Sequence, residues 1–411
     1  MNDDYDVIVV GAGAAGMIAA ICAARDGKKV LLLEQLSKIG AKLKATGGGR
    51  CNLTNTLDNE TFMSKFGKQG RFMQDALYHF DNEALIEFFR SIGVQTHAPD
   101  GFRVFPVGHN SSAILAALEN ELKRVNIHLI CSAKVEHINS KNNKIAGVRT
   151  THERYSSSHV IIATGGLGYP ILGANGDGYT FAKELGHKVT TLHPAMMPLH
   201  TKETWVASCK ANTIAKATLK VNLPKYKKIK ACGDLIFTST GIRGPVVLDF
   251  ARDVTPILEK HGEVPLLVNL TKGLNEEQIF AHLKNEFISN PQSTILENIS
   301  TLLPLALSGE IAKLCEIDGN EKFKSIEGHK REKLVKTLAW TPLTIIGHDG
   351  FKNAMITRGG VDLKGIDPKT MQSRIVDGLY FCGEVMNLDG PCGGYNLQWS
   401  FSSGYLAGKL G

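Results

Sequence analysis

Residues 5–10 (Tyr-Asp-Val-Ile-Val-Val) end in a run with no polar position, the pattern of a strand covered on both faces in a parallel sheet. A glycine-rich segment follows, and residues 17–24 are then small and apolar enough for a buried helix. Residues 30–33, all Val or Leu, predict the next strand, which ends on Glu34. The same signature returns at 160–163 and at 378–382, and 127–138 reads as a strand-like stretch. Between about 199 and 271 the pattern shortens into strands at 217–221, 234–237 and 264–268. A helix is expected to open there at Gly244-Pro245, because proline is tolerated in a first turn. From 275 to 337 the spacing becomes helical, with Ile279, Leu283 and Phe287 at intervals of four. Residues 341–357 return as strands, and 397–410 predict a closing helix.

A chain of 411 residues exceeds one ordinary core, and the change of pattern supplies boundaries. The expected organisation is an α/β nucleotide-binding domain from 1–195 and 351–411. A β-rich domain covers 196–272 and 338–350, and a small helical insert covers 273–337. Pro194 and Pro198 flank the exit from the first domain.

The segment Gly11-Ala12-Gly13-Ala14-Ala15-Gly16 lies between the first strand and the first helix. Gly11 permits a tight turn, Gly13 lets backbone approach a pyrophosphate, and Gly16 lets helix and strand pack closely. The helix start offers unpaired N–H groups and positive potential to phosphates. Glu34, at the end of the second strand, can accept both hydroxyl hydrogens of an adenosine ribose, and it disfavours a 2′-phosphate. The dinucleotide is therefore FAD or NAD. Near the far end, Gly383-Glu384 closes a strand and Gly393-Gly394-Tyr395-Asn396 precedes the last helix. Positive potential at that helix start suits a flavin, whose reduction puts negative charge near N1 and O2. An NAD dehydrogenase has no evident use for a C-terminal segment that returns to the first domain. FAD, tightly but non-covalently bound, is the reading.

Hydrophobic residues make up 43% and charged residues 21%, so the chain is globular rather than disordered. The net charge of +7 is mild, but the tracts Lys225-Tyr226-Lys227-Lys228 and Lys330-Arg331-Glu332-Lys333 keep nucleic acid open as a partner. None of the eight cysteines has CxxC spacing, so no metal site is expected. With no long apolar run and no leader pattern, the expectation is a cytoplasmic protein with no membrane partner.

Several blocks together resemble the YhiN/BaiN-like flavoproteins, also called the aminoacetone oxidase family. Residues 47–55 (Gly-Gly-Gly-Arg-Cys-Asn-Leu-Thr-Asn) are similar to that family's GGGRCNxTN signature. Ala163 to Gly166 with Tyr169-Pro170 and 176–179 resembles its ATGGxxYP…GDGY, and 393–399 its GGYNLQW block. The resemblance spans nearly the whole chain. It implies a Rossmann-like GR2-type FAD domain interrupted by a β-rich, barrel-like domain that carries a helical insert. It also implies FAD contacts at Gly11, Gly13, Glu34, Arg50, Cys51, Val135, Gly383, Glu384, Asn396 and Leu397. Neighbouring positions complete the candidate set: Ala14, Ala15, Gly16, Gln35, Lys42, Gly49, Asn52, Ala163, Thr164, Gly165 and Gly394. One block departs: the family's FTHxGxSGP reads Phe237-Thr238-Ser239-Thr240-Gly241-Ile242-Arg243-Gly244-Pro245 here. Ser239 stands where the histidine would be.

No second glycine fingerprint follows a later strand, so NADH or NADPH would serve as a transient donor without a domain of its own. Cys51 is a candidate general acid, against the simpler role of a small buried thiol. Tyr395 is a candidate for binding a substrate carbonyl, against packing at the cleft mouth. His193 and His200 flank the domain junction and read as structural. Three functions fit. The first is NAD(P)H-driven reduction of an activated C=C bond, in a small enone or in a uracil ring of RNA. The second is oxidation of a small amine with release of peroxide. The third is RNA binding with a structural flavin.

Overall fold

A strand with no polar side chain has to be covered on both faces. Val7–Val10 (β1) is, at the centre of a five-stranded sheet whose neighbouring strands all run parallel. β2 (Val30–Leu33) and β3 (His128–Ile130) lie to one side. β4 (Val160–Ile162) and the C-terminal strand Leu379–Phe381 lie to the other. The side chains of β1, β2 and β4 are almost wholly buried, each contributing roughly 1.5–3 kcal/mol by leaving water. The computed structural model describes residues 4–411 as two compact units, and this sheet centres the unit made of residues up to His193 and from Ile356 onward.

Helix α1 (Ala14–Arg25) packs on the sheet and against the closing helix Tyr395–Gly408. The approach is close enough to demand glycine. A Cβ on Gly404 would overlap the carbonyl oxygen of Ala15, and one on Gly408 would overlap that of Ala19. The two ends of the chain are thus fastened by small residues one turn apart on each helix.

The structure divides the stretch 127–138, which the sequence reads as one strand. His128–Ile130 joins the parallel sheet, Ser132 turns at φ 55°, and Val135–Lys141 pairs antiparallel with Lys144–Thr150 in a separate sheet. The crossing is pinned to the end of β2: Ser132 N–H donates to the Leu36 carbonyl and Ala133 N–H to the Glu34 carbonyl, both at 2.9 Å. Those two bonds, invisible to periodicity, decide where the strand breaks.

The second unit, Pro194–Met355, is built on a closed six-stranded barrel. Its strands are β5 (Leu199–Thr201), β6 (Thr213–Val221), β7 (Lys230–Phe237), β8 (Gly241–Arg243), β9 (Val264–Asn269) and β10 (Thr341–His348), in the order β5-β8-β7-β6-β9-β10. β5 pairs with both β8 and β10, which closes the barrel and leaves no open edge. Helix α2 (Pro245–His261) opens on the expected proline. Helices α3 (Glu276–Ser289), α4 (Ile295–Ser300), α5 (Leu305–Leu314) and α6 (Gly328–Ala339) follow β9. Leu283, Ile311 and Leu338 from these helices share one core with Leu219, Val268 and Phe250. The α/β class, the Rossmann-like sheet and the β-rich barrel are as expected from the sequence. Among the described residues no helix is long and apolar enough to cross a membrane.

Candidate dinucleotide site

The turn out of β1 is shaped by what cannot fit in it. Gly11 has φ 103°, and a Cβ there would sit 2.7 Å from the Ala163 carbonyl oxygen. A Cβ on Gly16 would overlap the Gly11 carbonyl oxygen, so the helix and the turn touch backbone to backbone. Gly13 is different: it faces open space, with nothing within 4 Å of a Cβ. It is the residue before α1, and no side chain caps that helix and no acid lies in its first turn. Uncapped N–H groups behind an open glycine make a cradle for phosphate.

Glu34 is held at the end of β2 with 9% of its surface exposed. One carboxylate oxygen accepts from Ala12 N–H and the other from Leu36 N–H, both at 2.9 Å. A carboxylate can accept about four hydrogen bonds, so this fixed anion keeps lone pairs for ribose hydroxyls. Val135, 5% exposed, begins the strand that leaves the crossing beside Glu34. Cys131, in the same crossing, has its thiol raised by burial and then by the charges of Glu34 and Glu119. Gln35 is engaged elsewhere: its amide donates to Gly173 O at 2.6 Å and accepts from Asn175 at 2.9 Å, tying down the 173–175 loop.

After β4, Gly165 turns at φ 71° and the Thr164 hydroxyl is buried with no hydrogen-bond partner. A Cβ on Gly166 would meet the Glu384 carboxylate at 2.6 Å. Glu384 is itself shared, accepting from Thr357 N–H at 2.8 Å and from the Lys42 ammonium at 2.7 Å. The Thr357 hydroxyl in turn accepts from Leu167 N–H at 2.8 Å. One carboxylate thus joins segments near 42, 166, 357 and 384. Thr357 is a member that sequence reasoning missed, since a lone threonine before Gly359-Gly360 carries no motif.

Four of the six residues from Thr46 to Cys51 have positive φ. Gly47, Gly48, Gly49 and Cys51 have φ of 58°, 65°, 87° and 57°, and Gly48 and Gly49 face open space. Arg50 is exposed and donates to Gly47 O at 3.3 Å. Cys51 is fully buried, and that burial pushes its thiol up to about 11 against a weaker lowering by a hydrogen bond from Thr46. Asn52 reaches Thr54 O at 2.9 Å and Val104 O at 3.2 Å while accepting from Gly394 N–H at 3.0 Å. Asn55 donates to Gly393 O at 2.9 Å, so the first block grips the last.

Gly394, at φ 85°, leads into the closing helix, which again has no side-chain cap and no acid in its first turn. Asn396 closes the preceding loop by accepting from Gly390 N–H at 2.8 Å and donating to Gly390 O at 2.9 Å. Leu397 is partly exposed. Tyr395 is 4% exposed, its ring 4.9 Å from Phe62 and 6.1 Å from Phe66, which places it within an aromatic cluster. On the sheet side, Gly383 packs its Cα face onto Ala15 and donates its N–H to the Ser403 hydroxyl at 2.9 Å.

The residues therefore fit a long dinucleotide with a planar ring system: two uncapped helix starts, a fixed carboxylate for ribose, a partnerless buried hydroxyl, and open left-handed glycines. All of this lies in the first unit. In the second, Ser239 and Arg243 are exposed around β8. Sequence reasoning set His200 aside as structural, yet its Nε2 lies 2.6 Å from Asp349, whose other oxygen accepts from Asn353 at 3.0 Å. Asp349 is 149 residues away along the chain, and barrel closure alone brings the pair together.

Comparison with known proteins gives the same picture. The family described as HI0933-like protein Rossmann domain matches residues 5–410. A 3-dehydro-bile acid delta(4,6)-reductase of Clostridium scindens is 32% identical over 404 residues, 98% of this chain and 97% of the relative. A ribosomal RNA dihydrouridine synthase of Haemophilus influenzae is 29% identical over 416 residues, 98% of each chain. Among solved structures, the 3-ketosteroid delta1-dehydrogenase of Sterolibacterium denitrificans superimposes with a TM-score of 0.54 at 14% identity, over 100% of this chain and 99% of that one. That likeness is one of fold.

Proposed function

We propose, from the premise that this chain belongs to the HI0933-like Rossmann family and is an FAD-dependent oxidoreductase, that it reduces an activated carbon–carbon double bond with NADH or NADPH as donor. The observation that carries this reading is chemical agreement between two chain-length relatives with different substrates. One is named a delta(4,6)-reductase and the other a dihydrouridine synthase, and both names denote hydrogen added to a double bond. The substrate class is a C=C conjugated to a carbonyl, in a small enone or in a uracil ring of RNA.

FAD, when bound, would supply the two-electron redox chemistry between the nicotinamide donor and the C=C bond, with a proton completing the second C–H bond. The protein's residues hold and bias that chemistry. Gly11, Gly13, Ala14, Ala15 and Gly16 receive the pyrophosphate at the start of α1, and Glu34 receives the ribose, with Gln35 and Val135 on the adenine side. Lys42, Gly49, Arg50, Cys51, Asn52, Ala163, Thr164, Gly165, Gly383 and Glu384 form the flavin side. Gly394, Asn396 and Leu397 present the closing helix, whose positive end favours a reduced, anionic ring. Of the two catalytic candidates, Tyr395 is the one beside this helix start, and Cys51 lacks any exposed surface from which to pass a proton.

The test is anaerobic incubation with NADPH and either cyclohexenone or a uridine-rich ribosomal RNA fragment, with products read by mass spectrometry. Consumption of NADPH matched by a product carrying two added hydrogens is expected. Peroxide from an added amine under air, with no carbon reduction in either case, would overturn the reading in favour of an amine oxidase.

A further inference from the structure

The hairpin of β6 and β7 carries Lys216, Lys220, Lys225, Lys227, Lys228 and Lys230, and no Asp or Glu occurs from 216 to 233. Four lysines elsewhere in this unit are paired with acids, in Lys202–Glu263, Lys313–Glu310, Lys333–Glu316 and Lys336–Glu332. The hairpin lysines form no ion pair among the described residues, and all but the half-buried Lys220 are exposed. Two of them, Lys220 and Lys230, are direct cross-strand partners. Like charges opposite each other weaken a sheet, and an anion lying across the pair would relieve the repulsion.

Lys220 also leads to an aromatic ring. Its ammonium lies 3.5 Å from the centroid of Trp340, which is partly exposed at the end of α6. Trp340 lines an open concavity of about 310 Å³ together with His329, Glu332, Lys333, Lys336 and Thr337. Lys220, five residues before the first basic tract, is thus in contact with Trp340, seven residues after the second. A row of cations around a partly exposed indole matches the way single strands are held: ammonium groups follow the phosphates, and a base can stack on the part of the ring that Lys220 leaves open. A lipid surface fits worse, because none of the large exposed apolar side chains lies between 213 and 237.

We infer that the β6–β7 hairpin and Trp340 form a docking face for single-stranded RNA, an inference that rests on the RNA arm of the function proposed above. The experiment is fluorescence anisotropy of a labelled 20-nucleotide single-stranded RNA against the full flavoprotein, at about 50 and 200 mM KCl. Wild type should bind, and its affinity should fall steeply with salt. Lys220→Glu/Lys230→Glu should bind at least about tenfold more weakly, with a flatter salt dependence, about 0.7 less in log–log slope for each phosphate that is no longer neutralised. Lys225→Ala/Lys227→Ala/Lys228→Ala, confined to the turn outside the barrel wall, should act in the same direction without risk to the fold. Trp340→Leu should weaken binding at least about fivefold and leave the salt slope unchanged.

A wild type that does not bind, a charge-reversed protein that retains its flavin and binds as well as wild type, or binding to phosphatidylglycerol vesicles but not to RNA would each overturn the inference. Cyclohexenone reduction, run on the same wild-type preparation, separates the two claims. Reduction without RNA binding overturns only the docking face. RNA binding with neither cyclohexenone reduction nor a two-hydrogen mass gain in the bound RNA supports the face and overturns the reductase reading.

Discussion

Glu34 is the proposed ribose ligand, and its carboxylate is held by the Ala12 and Leu36 N–H groups. Glu34→Gln keeps the shape and removes the charge. It should weaken FAD binding about ten- to a hundredfold, the worth of a charge-assisted hydrogen bond, as read by titrating FAD into apoprotein. Unchanged affinity would remove Glu34 from the ribose site. Cys51 gives the opposite kind of prediction. A buried thiol raised to about 11 is poorly matched to proton transfer at neutral pH, so Cys51→Ser should leave kcat within about threefold. A drop of a hundredfold or more would restore it as the acid. His187 tests the core: it is 4% exposed, its Nε2 lies 2.8 Å from the Ser373 hydroxyl, and burial lowers its pKa from the ordinary value. The unfolded chain therefore binds the proton first. Stability is intact above about pH 6.5 and falls as pH drops from there toward the lower folded-state value. Urea midpoints between about pH 7.5 and 5 should fall less steeply in His187→Gln than in wild type. Parallel profiles would show that His187 is not the group responsible.

At the scale of elements, α1 and the closing helix approach each other closely enough to need glycine at the contact. Gly404→Ala sets a methyl against the backbone oxygen of Ala15, which cannot rotate away as a side chain would. Overpacking of this kind costs about 1–3 kcal/mol, and because the proposed phosphate and flavin ends lie at the starts of these helices, FAD retention should fall with it. A variant with wild-type melting temperature and flavin content would mean that the helices separate at no cost. The elements most legible in the sequence were those with local causes: apolar strands, the Gly11 to Gly16 turn, and the helix opening at Pro245. The break at Ser132 was not, because it depends on hydrogen bonds to Glu34 and Leu36 from nearly a hundred residues away. Barrel closure, the His200–Asp349 pair and the Lys220–Lys230 register were hidden for the same reason. Thr357 was hidden because its role exists only once Glu384 and Leu167 are beside it.

For the whole molecule, both ends of the chain build one unit around the parallel sheet, and the residues between them build a barrel with its own core. Gly383, Glu384 and Gly394 lie more than 330 residues beyond Gly49 in the chain, yet Asn52, Asn55 and Lys42 hold that C-terminal block by direct bonds. Removing the last helix should therefore abolish flavin binding rather than trim a tail. The central claim, an FAD enzyme reduced by a nicotinamide, is tested most directly by the visible spectrum of the purified protein under anaerobic conditions, before and after adding NADH or NADPH. The account predicts an oxidised flavin spectrum that bleaches on addition of the donor and recovers when an enone or uridine-rich RNA is supplied. A flavin that stays oxidised with both donors would contradict the reductase, and a protein that shows no flavin even after reconstitution with FAD would contradict the site itself.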